Sequence, residues 1–225
     1  MGIRNESTST TELLRDTRYH RAALTEDPQT KDMTAPVKDC ETHLRKKYDT
    51  HESAEDVRVE KLALFNRTDY VLGVHIRMCE LEVLAQVGNN REDQRYTAVF
   101  TRAGAASIID RRGADAAIAV KTMTGNLSQH FPDNATRHNT TLLAEAAATA
   151  AAENAWKQAE ADAATAKEAE YLARRDLVRQ LQKNEGTLQA LFPGDKRRVR
   201  SYFRPQRRGT GTAATRANGG NTTGQ

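Results

Sequence analysis

From Thr141 to Gln182 the chain meets neither proline nor glycine, and within that run 15 of the 30 residues from 144 to 173 are alanine. Alanine has the highest helix propensity because it freezes no side-chain rotamer and buries no polar group. The run therefore predicts one long helix, and few folds can hold such an element. Alanine at the contact positions lets a second helix approach its backbone closely. Glu145, Glu153, Lys157, Glu160, Asp162, Lys167, Glu168 and Glu170 keep the far side hydrated.

A matching element lies upstream. Val37, Cys40, Leu44 and Tyr48, then Leu62, Phe65, Leu72, Ile76, Cys79, Val83 and Val87, recur largely at steps of three and four, the spacing of one helix face. Ser53, with Asp56 in a first turn, offers a fresh helix start. Residues 49–56 hold no proline or glycine, however, so one continuous helix over about 37–87 is favoured. Gly88-Asn89-Asn90 is a stop, followed by a helical turn at 94–100, a break at Gly104 and a helix over 114–131 closed by Pro132. Residues 11–24 suit a short helix, with Pro28 and Pro36 ending it and keeping the link extended. The alanine-rich helix is expected over about 136–184, ending at Asn184-Glu185-Gly186.

Each long helix is thus followed by an Asn/Gly stop and an apolar hook, at 96–100 and at 188–192. This suggests an internal duplication, against the simpler view that any long helix needs an apolar plug at its end. The domain reading is a disordered tail (1–10), a short helix and linker (11–36), a helical bundle (37–203) and a basic, Gly/Thr/Asn-rich disordered tail (204–225). The fold class is all-α: an elongated antiparallel helical bundle of coiled-coil character with two long helices and short helical hooks.

Composition supports that class. Only 38% of residues are hydrophobic, 5% are aromatic, and the mean hydropathy is −0.75; this excludes a thick core and fits helices that each bury one stripe. No segment approaches the ~20 apolar residues needed to span a bilayer, and the first ten residues lack the apolar run of a secretory signal. Cys40 and Cys79, both in helical contexts, read as reduced thiols rather than a disulfide framework. The expected location is cytoplasmic.

The motifs argue against an enzyme. A carboxylate-bridged metal centre in a bundle uses Glu-x-x-His, but the residues three before each histidine are Thr17, Cys40, Tyr48, Leu72, Leu127 and Ala135. Cys40-x-x-His43 and His75-x-x-x-Cys79 place soft ligands on helix faces, yet on one helix the pairs lie roughly 50 Å apart, so no metal site is assigned. Neither cysteine lies at a helix start that would activate it, and no phosphate-cradling glycine loop or nucleophile elbow occurs. No catalytic residue and no cofactor is expected.

Two places suit partner contact. Trp156, the only tryptophan, lies among small residues and either covers the core stripe or anchors a second chain. Gly73, alone in a helical run, reads as a notch for close crossing by the alanine-rich helix. The C-terminal end adds charge: residues 1–195 carry −4, while Lys196, Arg197, Arg198, Arg200, Arg204, Arg207, Arg208 and Arg216 follow with no further acid. Tyr202 and Phe203 interrupt these cations, a mixture able to bind phosphates and stack on bases. Alternatively the apolar residues dock on the bundle while the arginines balance acids of the same protein or a neighbour. The sequence therefore favours a non-enzymatic structural or scaffold subunit acting through helix association, with a protein partner or a second copy. The other reading is a nucleic-acid-associated protein that binds through its basic end.

Overall fold

The computed structural model describes residues 8–205, in which every regular element is helical. The order is α1 (Thr10–Glu26), a 3-10 turn (Lys31–Met33), α2 (Thr34–Gln86), α3 (Gln94–Phe100), α4 (Ala106–Ile109), α5 (Gly113–His130), α6 (Pro132–Leu191) and α7 (Lys196–Ser201). The all-α antiparallel bundle with two long helices and short hooks holds. Of the residues read as tails, 1–10 and 204–225, those at 1–7 and 206–225, Arg207 and Arg208 included, lie outside the described residues, whereas Thr10 already belongs to α1.

α2 is continuous through residues 49–56. Pro36, expected in an extended link, sits in the first turn of α2, where its missing N–H would have had no intrahelical partner. Pro132 likewise opens α6 as its first residue, after a single junction residue, Phe131. Left-handed Gly88 and Asn89 follow α2 at φ 63° and 61°. The expected stop at Asn184-Glu185-Gly186 differs: α6 runs on to Leu191. Asn184 is buried and bonded there, and a single glycine costs a helix only about 1 kcal/mol. The hook at 188–192 is thus the last turn of α6, whereas 94–100 is a separate helix, and the two halves do not repeat each other in form.

The chain divides into two compact units, one joining Met1–Glu41 with Leu177–Gln225, the other being Thr42–Asp176. In the second unit α2 and α6 pair antiparallel in constant register. His51 meets Glu170, Phe65 stacks on Trp156, His75 meets Glu145, His138 meets Glu82, and Gln86 donates to Asn134. The numbers of each couple add to 220 or 221. One end of the pair carries a third layer of α3, α4 and α5, and the core lies there: Leu72, Ile76, Cys79 and Val83 of α2 pack with Tyr96, Phe100, Val120, Met123, Leu127, Leu142 and Ala146. Toward the other end the core thins. No residue of α2 from 45 to 64 is buried, and between 153 and 169 α6 buries only Ala159 and Ala163.

The first unit is smaller. Leu24 and Val37 pack with Leu188, Phe192, Val199 and Tyr202, which brings α1, the start of α2, the end of α6 and α7 around one cluster.

Candidate functional site

The basic C-terminal segment is built onto α1. Asp195 caps α7 by accepting from the Arg198 backbone N–H at 2.9 Å, and Val199 and Tyr202 then face inward, both buried. That placement carries Arg198 over the Phe192 ring, 3.7 Å from its centre, and its guanidinium donates to Asp27 at 2.7 Å. The Tyr202 hydroxyl donates to the same carboxylate. Tyr202 first, and Arg198 next, hold the Asp27 carboxyl down at about 2, below the ordinary carboxylate value. Arg204 reaches Asp16 at 3.1 Å.

The sequence stretch after Asp195 lacks acids, but partners for two of its cations come from α1 and the turn after it, more than 170 positions away. Spacing along the chain could not reveal them. Lys196, Arg197 and Arg200 remain exposed, and among the described residues no ion pair engages them. Lys196 and Arg200 line a shallow groove with Glu185, Gln189, Phe192 and Val199.

Beside this segment lies a buried polar chain that sequence reasoning missed. Gln180 donates to the Asn184 carbonyl at 2.9 Å, which turns the Asn184 amide nitrogen toward His20 Nε2 at 3.1 Å. His20 Nε2 then accepts, and Nδ1–H donates to the Tyr202 carbonyl at 2.9 Å. Phe203 stacks on the imidazole with ring centres 4.5 Å apart. Burial lowers the His20 pKa below its ordinary value, the Tyr202 carbonyl opposing this only in part. The ring is neutral and structural. A signal existed in the sequence: His20 falls on the face of Leu13, Thr17 and Leu24, all buried.

The remaining candidates lie in the second unit. Trp156 is half-buried and stacks on Phe65 with ring centres 5.8 Å apart, while its buried Nε1–H finds no acceptor among the described residues. Gly73 is buried, but the side chain set against it is Ile109 of α4 rather than the alanine-rich helix. The notch serves the third layer, because α6 approaches the neighbouring Leu72 and Ile76 face. Cys79 lies fully buried in the core, its thiol pushed up to about 12 by desolvation, and His75 is bonded to Glu145. Among the described residues no three His, Cys, Asp or Glu side chains converge as metal ligands, and no helix is long and apolar enough to cross a membrane.

One tertiary contact helps fix where α5 begins. α5 has no side-chain cap of its own, and its Ala114 N–H donates instead to Glu153 of α6 at 2.8 Å. Lys157 first, and then this backbone bond, depress the Glu153 pKa. The preceding Arg112 covers the Phe65 ring and donates to Asn66 and Asp69 of α2.

Comparison with known proteins returned no match: no family model, no curated protein and no solved structure corresponds to this chain.

Proposed function

We propose that this protein is a non-enzymatic structural subunit that works through helix association of coiled-coil type, as a scaffold in a reducing, cytoplasmic setting. The observation that carries the reading is the α2–α6 pair of the second unit. Its register is constant from His51·Glu170 to Gln86·Asn134, and His51, His75 and His138 each bond a carboxylate across the pair. Such a pair offers long, regular rows of side chains to other helices, the surface that helix-in-groove and bundle contacts use. The test is chemical cross-linking in native cells followed by purification under stringent washing. A fixed-stoichiometry complex with a protein chain is the expected product. Recovery of the chain alone from cross-linked cells rejects the reading.

A second reading rests on Lys196, Arg197 and Arg200, exposed and without ion pairs among the described residues. They form a small cationic surface suited to phosphates, so a nucleic-acid partner is retained as the alternative. Salt-dependent binding of duplex and single-stranded nucleic acid separates the two readings.

A further inference from the structure

The end of α6 and the short α7 enclose a groove of about 440 Å³, within the range of small-ligand sites. Its floor is apolar, made by Phe192 and Val199. Lys196 and Arg200 form one rim. They lie four residues apart and hence on one side of α7, both exposed and, among the described residues, in no ion pair. Two like charges so placed repel each other, and an anion held between them removes the repulsion. The other rim belongs to α6, where Glu185 and Gln189, again four apart, present a carboxylate and an amide. Cations and a carboxylate thus flank one apolar floor without pairing across it.

That arrangement selects its ligand. An inorganic phosphate leaves the floor and Glu185 unmatched, and an anionic lipid offers the carboxylate only an acyl chain. A nucleotide matches all three parts: a phosphate for Lys196 and Arg200, a flat ring for the floor, and hydrogen-bond donors on the base edge for Glu185. In a duplex those edges are already paired, so the base that enters is an unpaired one. Guanine alone carries two adjacent donors, N1–H and N2–H, on its Watson–Crick edge, and these match the two oxygens of a carboxylate. Adenine and cytosine set an acceptor beside their amino group, and thymine and uracil flank their one donor with carbonyls. Arg197, exposed on α7 beside Lys196 and outside the groove, suits the phosphate of an adjoining nucleotide and so favours a strand over a single nucleotide.

We infer that the groove between the end of α6 and α7 binds single-stranded nucleic acid, with a phosphate on Lys196 and Arg200 and an unpaired guanine against Glu185. The inference rests on the nucleic-acid alternative and names the form of strand and the base it takes.

Fluorescence anisotropy of labelled strands of about six nucleotides tests it, with the full chain at about 50 mM salt and circular dichroism as a check that each variant stays helical. A strand alternating guanine with thymine binds about fivefold or more tighter than an all-thymine strand, and tighter than a hairpin duplex of the same bases. Glu185→Gln keeps the side chain's shape and abolishes that preference. The ratio of the two affinities is the readout, because losing a carboxylate strengthens the binding of any strand. Lys196→Ser with Arg200→Ser weakens both strands about tenfold or more, whereas Lys121→Ser, exposed on α5, changes neither. Equal affinity for the two strands, a guanine preference that survives Glu185→Gln, or displacement of the strand by polyglutamate overturns the inference. Salt-dependent binding without base preference overturns it too but upholds the nucleic-acid reading, while no binding of strand or duplex at low salt removes both, so the two failures are distinguishable.

Discussion

His20 illustrates how much one residue can demand of its surroundings. Its neutral ring is held between an amide that must donate and a carbonyl that must accept, inside a stacked pocket. Asn184→Ala leaves Nε2 buried and unbonded, which should cost about 1–3 kcal/mol in thermal or denaturant unfolding, while Asn184→Asp should cost more, since a carboxylate offers Nε2 no proton. The pH dependence follows from the lowered pKa. The unfolded chain protonates His20 near its ordinary 6.5 and the native chain only below that, so this stabilisation is complete above pH 6.5 and lost as pH falls from there through the native value. The fall in melting temperature between pH 7 and pH 5 should therefore be smaller in His20→Leu than in the wild type. Asp27 acts in a lower window, its contribution fading as pH falls from about 3.8 to about 2. Neither residue stood out in the sequence, because their partners Tyr202 and Arg198 lie at the far end of the chain.

At the scale of elements, periodicity made the long helices legible and left their ends uncertain. Steps of three and four located the inward face of α2, and the alanine count located α6. Propensity could not say that α6 begins at Pro132, or that it runs past Gly186 because Asn184 and Leu188 are buried on both sides of that glycine. Nor could it say which alanines touch. Leu142, Thr149, Trp156, Ala163 and Glu170 fall on the seam of the second unit at seven-residue steps, all buried except half-buried Trp156, whereas Ala164 is exposed and Ala150 half-covered. Ala163→Leu should consequently lower stability by about 1–3 kcal/mol through overpacking. Ala164→Leu should change it by no more than about 0.5 kcal/mol. Equal melting temperatures for the two variants would mean that the seam lies elsewhere.

For the molecule as a whole, the charge asymmetry was visible in the sequence but its use was not. Arg198 and Arg204 are paired with Asp27 and Asp16, which leaves Lys196, Arg197 and Arg200 as the described cations after Asp195 that are open to a ligand. If nucleic acid is the partner, replacing these three with serine should flatten the dependence of log affinity on log salt by about 0.9 for each duplex phosphate that no longer meets a cation. Unchanged slopes would remove α7 from consideration as the interface. The constant sum of 220 or 221 along α2 and α6 bears, finally, on how such a chain can change length. One residue inserted into the middle of α6 turns everything beyond it by about 100°, so Glu170 would swing away from His51 while Glu145 still faced His75. Seven residues restore the facing, and only if α2 lengthens by as much. Descendants of this sequence should therefore gain or lose residues in the turns between α2 and α5, or in matched sevens on both long helices, and almost nowhere else along the pair.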